Sequence, residues 1–169
     1  MAQVSPEVAH AISCKKARYC RYADTKQLDK FEPDIALPDA QWSFWDKEGK
    51  LLVIGDQVME FDSTKKTVAF FSKFFAPLDT LHNICPGSFE QVAPDEVNAI
   101  FGFEDQLMHK KLGAWAEMRG GGFYNETWKL VDGQWYLKEM RLERTYHKMS
   151  VFLKIIIFIA GLLGVSLSS

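Results

Sequence analysis

The sequence contains none of the short motifs that mark common cofactor-dependent or nucleophilic enzymes. There is no GxGxxG or GxxxxGK loop for a nucleotide, no GxSxG nucleophile motif, and no pair of histidines at metal-binding spacing. The three cysteines, Cys14, Cys20 and Cys85, have neither CxxC nor CxxH spacing, which disfavours a zinc site and a disulfide framework. We therefore expect no metal and no cofactor, and free, mostly buried thiols in a reducing compartment.

An excess of positive charge is also lacking. The chain has 20 basic and 22 acidic residues and a formal net charge of -2, so no global positive field would attract nucleic acid. The N-terminal stretch MAQVSPEVAHAI has no basic segment followed by an apolar core, so we expect no secretory signal there. With 169 residues, the chain suits one domain with a substantial core.

Aromatic residues are abundant, and the helical signals come first along the chain. Aromatics make up 14% of the residues, with 13 Phe and 5 Trp, which suits a dense core or an apolar pocket. Ser5-Pro6 is typical of a helix start, and apolar residues then recur at helical spacing up to Ala23. Asp24 followed by Gln27 resembles a capping box that would open a second short helix.

The remainder of the chain predicts mainly strands. A hairpin is expected over 41–55, and Asp62-Ser63 would cap another helix that ends before Pro77. Five β-rich runs on short turns follow, at 78–85, 88–93, 96–107, 122–131 and 134–146. We predict an α+β fold, a curved antiparallel sheet wrapped by N-terminal helices. Gly120-Gly121-Gly122 is interpreted as a bulge or a close backbone approach.

The C-terminus differs from the rest of the chain. Residues 151–167 read VFLKIIIFIAGLLGVSL, with one charge, and as a helix they would reach roughly 25 Å. Basic residues lie on the N-terminal side of this run: Arg141, Arg144, His147, Lys148 and Lys154. This predicts a domain at 1–149 and a tail at 150–169 that anchors it to the cytosolic face of an intracellular membrane, such as the endoplasmic reticulum. The alternative is a cytoplasmic protein whose terminal helix folds over the domain or its pocket mouth.

A bent sheet half covered by helices leaves a cavity that suits an apolar small molecule. Residues of one parity along each strand would face it, together with Tyr22 from the first helix. The candidate substrate-binding residues are Tyr22, Phe101, Phe103, Asp105, Tyr124, Glu126, Trp128 and Arg144.

Three residues supply the chemistry of proton transfer. His82 lies in the strand DTLHNIC, and an imidazole is a suitable base for removing a proton beside a carbonyl. The Tyr19 hydroxyl would polarise that carbonyl, and Asp24 would hold the other imidazole nitrogen or protonate a leaving hydroxyl. The alternative is structural, with Tyr19 in the core, Asp24 as a helix cap and His82 as a hydrogen-bonded core residue.

Four segments in this order carry a family resemblance: RYCRYADTK, FDSTKKTVAFF, TLHNICPGSFEQVAPDEVNAIFGFEDQL and GGGFYNETWKLVDGQWYLKEMRLER. Together they resemble the SnoaL-like group of the nuclear transport factor 2-like (cystatin-like) superfamily over residues 5–146. The resemblance is to fungal enzymes of polyketide and meroterpenoid pathways and to bile-acid dehydratases. It implies a conical fold, no cofactor, and catalytic roles for Tyr19, Asp24 and His82. Many relatives have a histidine at the position of Phe123 and a tyrosine at the position of Trp128. The resemblance therefore implies that the pocket of this protein has fewer hydrogen-bond donors.

The sequence therefore predicts a cofactor-independent dehydratase, isomerase or cyclase for a hydrophobic polycyclic intermediate of secondary metabolism. One alternative is epoxide opening on the same scaffold, with Asp105 and Glu126 as acid and base. Another is a binding module that carries a ligand without chemistry. The expected partners are a hydrophobic small molecule, no nucleic acid, a membrane through 151–167, and a second copy of the chain in a homodimer.

Overall fold

The computed structural model describes residues 4–162, apart from the side chains of 156–158 and 160–162. It contains helices α1 (Pro6–Asp24), α2 (Thr64–Phe75) and α3 (Val151–Leu162). The Ser5 hydroxyl accepts a hydrogen bond from the Val8 N–H at 3.3 Å, so α1 begins at its predicted cap. The Ser63 hydroxyl caps α2 in the same way, which confirms the second predicted start.

Nine strands make up the rest of the domain. They are β1 (Ala36–Trp45), β2 (Val53–Ile54), β3 (Gln57–Val58), β4 (Glu60–Phe61), β5 (Leu78–Ile84), β6 (Ser88–Ala93), β7 (Glu96–His109), β8 (Gly113–Val131) and β9 (Gln134–Met149). The main sheet has the order β4-β1-β9-β8-β7-β5, β6 also pairs with β7, and β2 with β3 forms a separate small hairpin. All the pairs are antiparallel except β1 with β9. The predicted α+β class is confirmed.

The predicted elements need four corrections. β8 begins at Gly113, nine residues before the predicted start at 122, because the long strand pairs with β7 almost to its end. β5 and β6 both pair with β7 and not with each other, so the strands do not form a simple meander. The hairpin predicted over 41–55 is only partly present, since β1 meets Leu51 in a single bridge. The capping box is wrong, because the Asp24 carboxylate bonds to β5. The predicted second short helix is a 3-10 turn, Leu28–Lys30, followed directly by a π-helical turn, Phe31–Ile35.

The core lies between the sheet and the helices and is rich in aromatic rings. Tyr19 of α1 stacks on Trp42 with ring centroids 6.2 Å apart, and Phe31 packs on both rings. Trp42 and Trp128 are essentially inaccessible to solvent. Burying such large rings supplies much of the stability of a small domain.

The glycine triplet lies where β8 and β9 fall out of register, which confirms the predicted bulge and close approach. The pairing shifts between Gly121 and Gly122, so β9 has one extra residue there. A Cβ at Gly122 would lie 1.9 Å from the Glu143 carbonyl oxygen, and one at Gly120 would lie 2.1 Å from Nη1 of Arg144. The triplet therefore lets β9 and the Arg144 side chain cross β8 closely.

The start of the hydrophobic tail is helical and is attached to the domain. Ser150 donates through its N–H to the Glu117 carbonyl at 2.9 Å, and its hydroxyl donates to the Trp115 carbonyl at 2.5 Å. Within residues 4–162, none of the helices has the length and apolar character that crossing a bilayer requires. The last part of the predicted anchor, 163–167, lies outside the described residues.

Candidate active site

Asp24 and His82 form a closely bonded pair. Asp24 is the last residue of α1, and His82 lies in β5. Oδ1 of Asp24 lies 2.6 Å from Nδ1 of His82, and Oδ2 accepts the His82 backbone N–H at 2.9 Å. The Thr80 hydroxyl also donates to Oδ1 at 2.9 Å. The carboxylate thus fixes both the ring and the strand that carries it.

The electrostatics of the pair favour an ionised carboxylate. Burial alone would raise the pKa of Asp24, but the hydrogen bonds and charge of His82, with the Thr80 hydroxyl, hold that pKa below its ordinary value. An ionised Asp24 accepts a hydrogen bond from Nδ1–H of His82, which leaves Nε2 as the nitrogen with the free lone pair. Within residues 4–162, no protein group bonds to Nε2.

His82 faces a cavity of about 1200 Å³ between the sheet and α2. Most of the wall is apolar, including Phe71, Phe74 and Phe75 of α2 and Leu107 of β7. Phe75 packs edge-on against the imidazole, with ring centroids 5.9 Å apart. Asp24 does not line the cavity, so its carboxylate supports the imidazole from behind. A cavity of this size and character suits a hydrophobic small molecule.

Tyr19 and Tyr124 line the same cavity, with ring centroids 5.9 Å apart. Burial raises the pKa of both phenols well above the ordinary value, so both remain neutral hydrogen-bond donors. Among the described residues, Tyr19 makes no hydrogen bond to Asp24 or His82. The structure therefore brings the imidazole and the carboxylate together and places the predicted phenol elsewhere on the cavity wall.

Asp105 and Arg144 form a second polar group on this wall. The guanidinium donates to both carboxylate oxygens, from Nη1 at 3.1 Å and from Nη2 at 2.6 Å. Asp105 pairs directly with His82 across β5 and β7, so both side chains lie on the same sheet face. The sequence placed Asp105 and Arg144 in the pocket but did not indicate that they bond to each other.

Five of the predicted substrate-binding residues do not line the cavity: Tyr22, Phe101, Phe103, Glu126 and Trp128. Tyr22 is partly buried against the core, and its hydroxyl donates to Asp34 at 3.0 Å. Phe103 packs beneath Tyr124 with centroids 4.4 Å apart. The alternation of residues along the strands correctly predicted that Phe101, Phe103 and Trp128 point to the inner face of the sheet. Helix α1 covers that end of the sheet, so these rings do not reach the cavity.

A buried ion pair explains the position of Glu126. Nζ of Lys16 lies 2.5 Å from its Oε1 with both side chains almost fully buried, and the Trp128 indole donates to Oε2 at 2.9 Å. The same ammonium lies 3.3 Å from the Tyr124 ring centroid and 4.0 Å from that of Tyr19. The sequence contained a signal for this buried ion pair, because Lys16 lies three residues before Tyr19 on the otherwise apolar face of α1.

The two positions that depart from the family pattern lie outside the cavity wall. Phe123 is 47% exposed on the outer face of the sheet, and the Trp128 indole is used by Glu126. Neither residue lines the cavity. The expected loss of donors from the pocket at these positions is therefore wrong.

The prediction that the cysteines are mostly buried is wrong in part, because Cys20 is buried but Cys14 and Cys85 are exposed.

Comparison with known proteins identifies relatives of the chain and of its fold. No family model matches the chain. A protein from Gibberella zeae named "Probable cyclase FGR4" is 40% identical over 146 residues, which is 86% of this chain and 97% of that protein.

Two solved structures share the fold at low identity. A protein from Novosphingobium aromaticivorans named "Putative Scytalone Dehydratase" is 22% identical with a TM-score of 0.64, covering 82% of this chain and 85% of that one. The hexachlorocyclohexane dehydrochlorinase LinA-type3 from Novosphingobium barchaimii is 16% identical with a TM-score of 0.68, covering 86% and 91%. With a relative of 40% identity along most of its length and these folds beside it, the protein belongs to the SnoaL-like group of the nuclear transport factor 2-like superfamily.

Proposed function

We propose that the protein is a cofactor-independent lyase or isomerase that moves a proton within a hydrophobic, polycyclic intermediate of polyketide or meroterpenoid biosynthesis. The observation that carries this proposal is the bond between Asp24 and His82, which leaves the other imidazole nitrogen as a base on the wall of a largely apolar cavity. A general base needs this combination of a positioned lone pair and a water-poor site.

The proposed reaction begins with Nε2 of His82 taking a proton from a carbon beside a carbonyl group. The electron pair of the C–H bond forms a C=C bond, and the π pair of the carbonyl group moves to its oxygen, which gives an enolate. A neutral phenol, Tyr19 or Tyr124, donates a hydrogen bond to that oxygen, because burial keeps both phenols protonated. Asp24 stabilises the imidazolium that results.

Three outcomes are then open to the enolate. It expels a hydroxide from the next carbon, accepts the proton at a different carbon, or attacks an electrophilic carbon of the same molecule and closes a ring. The relationship to the probable cyclase FGR4 favours ring closure. In each case the imidazolium returns its proton to the product or to the leaving group, so the enzyme is regenerated.

The geometry favours this chemistry over epoxide opening by Asp105 and Glu126. Both oxygens of Asp105 accept hydrogen bonds from Arg144. Glu126 lies outside the cavity and is neutralised by Lys16. An acid–base pair for an epoxide would need both carboxylates at the ligand.

The test compares His82→Gln and Asp24→Asn with the unmodified protein in the native host, with metabolite profiling as the readout. We expect the product to fall about 100-fold or more in His82→Gln, as for other general bases, and its precursor to accumulate. His10→Gln is the matched control, because His10 lies on the exposed face of α1. Unchanged product in both His82 and Asp24 variants would contradict the proposal. Unchanged product with retained ligand binding in His82→Gln would favour the binding module.

A further inference from the structure

An exposed apolar surface adjoins one end of the cavity. It consists of Leu112 from the β7–β8 turn, Trp115 near the start of β8, and three residues from the first turns of α3, and we call it the mouth patch: Leu112, Trp115, Val151, Phe152 and Ile155. Trp115 is 70% exposed and Val151 73%, and the other three are between 39% and 51% exposed. Large apolar side chains grouped in this way on a surface mark an interaction site.

The mouth patch is an ordered part of the domain. Trp115 and Phe152 pack edge-on with ring centroids 5.9 Å apart. The Ser150 hydroxyl accepts the N–H of Leu153 at 3.3 Å and donates to the carbonyl of Trp115. One serine therefore both starts α3 and holds it against β8.

The mouth patch is continuous with the cavity wall. Leu112 belongs to both, and Leu153, between two patch residues on α3, also lines the cavity. The wall runs from there through Leu107 to His82. The exposed patch and the apolar wall of the cavity therefore form one continuous apolar surface.

Four lysines lie close to the mouth patch along the chain, and the neighbouring Glu117 carboxylate is paired with Arg119. Segments 107–116 and 145–162 contain four lysines, Lys110, Lys111, Lys148 and Lys154, and no carboxylate, although the whole chain has a net charge of -2. All four lysines are exposed. The ion pairs among the described residues involve other lysines, so this charge is not neutralised locally.

We propose that the mouth patch docks on the surface of an anionic phospholipid bilayer, with Trp115, Val151, Phe152 and Ile155 inserted at the headgroup level. An apolar centre with a basic border complements the acyl region and the negative headgroups of such a surface. A second copy of the chain fits less well, because a two-fold contact would bring the same four lysines towards each other. Interfacial docking needs no spanning helix, and it does not depend on the proposed chemistry.

The experiment measures binding of the purified full-length chain to vesicles by sedimentation. One set contains phosphatidylcholine alone, and the other contains equal parts of phosphatidylcholine and phosphatidylserine. We expect the protein to pellet with the anionic vesicles and to be released by high salt. Leu112→Ser with Trp115→Ser, and separately Lys111→Glu with Lys154→Glu, should each weaken binding about tenfold or more.

Matched controls carry the same substitutions elsewhere on the surface. Val92→Ser with Ile100→Ser removes exposed apolar residues of β6 and β7, and Lys50→Glu with Lys65→Glu reverses two distant charges. Both controls should bind as the unmodified protein does. The proposal is overturned if the full chain stays in the supernatant with both vesicle types, or if the two mouth-patch variants bind undiminished. It is also overturned if light scattering shows a dimer that those variants dissociate, since the occupant is then a second copy.

Discussion

The polar residues that matter most in this domain act as bonded pairs. Asp24 bonds to His82, Arg144 to Asp105, and Lys16 to Glu126. In a region of low dielectric, a charged group that loses its partner costs far more than the pair contributes. The consequences of single substitutions therefore depend on which partner remains.

The Lys16–Glu126 pair gives the clearest case. We expect Glu126→Leu to lower the free energy of unfolding by about 3–5 kcal/mol, because it leaves a fully buried ammonium without a counter-charge. Replacing both residues, with Lys16→Met added, should restore a large part of that loss. Urea unfolding measures both values, and Lys138→Met, which breaks a partly exposed ion pair with Glu96, should have a far smaller effect. If the double variant were no more stable than the single one, unpaired charge would not be the cause.

The three thiols should differ in reactivity. Burial raises the pKa of Cys20 to about 11, whereas Cys14 and Cys85 are exposed, and the thiolate is the reactive form. Iodoacetamide at mildly alkaline pH should modify Cys14 and Cys85 and leave Cys20 intact until denaturant is added. Peptide mass spectrometry measures this order, and early labelling of Cys20 would show that α1 opens readily.

At the level of elements, the register shift between β8 and β9 shapes one end of the cavity. The extra residue in β9 turns Arg144 across Gly120 towards Asp105. Bulges commonly re-aim a side chain in this manner. The spacing of the glycine triplet predicted a close approach, but which side chain uses the space depends on β9, more than 20 residues further along the chain.

Two glycines of the sheet should respond in opposite ways to an added methyl group. Gly122→Ala should lower the free energy of unfolding by about 1–3 kcal/mol or more, because the new Cβ meets the rigid carbonyl of Glu143. Gly102→Ala should be neutral or stabilising by up to about 1 kcal/mol, since its nearest neighbour is Sγ of Cys85 at 3.5 Å, an ordinary contact. Thermal or urea unfolding distinguishes them, and equal effects would contradict the close approach at the bulge.

For the molecule as a whole, the end of α1 is tied to β5 by the same carboxylate that orients the candidate base. Stability and the proposed activity are therefore linked at Asp24. Association into a homodimer and anchoring of the tail at 151–167 stay predictions.

The tie at Asp24 should make stability depend on pH. The folded-state pKa of Asp24 is below the ordinary 3.8, so its contribution is complete above the unfolded pKa and is lost as the pH falls through the folded one. The stability difference between the unmodified protein and Asp24→Asn should shrink as the pH falls below about 4. Urea titrations over this range measure it. Asp79→Asn, at an exposed position of β5, is the control, and a difference that stays constant into strong acid would contradict the assignment.

Local sequence patterns account for most of the fold and part of the site. Helix caps, helical spacing and the alternation of residues in strands depend on neighbouring residues. The presence of α1, α2 and β5 to β9 could therefore be predicted from the sequence. The site residues Tyr19, Asp24 and His82 came from residue chemistry together with the family resemblance. The start of β8 was missed because the stretch from Gly113 to Gly121 is rich in glycine and charge, and only its long partner β7 makes it a strand.

Residue order alone thus predicted the class of fold and placed an imidazole, carboxylates and phenols on the elements that form the cavity. The assembled chain determined which of them meet. Asp24 reaches His82 from 58 residues away and Lys16 reaches Glu126 from 110, and these contacts depend on how α1 lies on the sheet. Strand parity gives the face of a side chain but not what covers that face, which is why Glu126 and Trp128 are sealed beneath α1 while Asp105 and Tyr124 line the cavity.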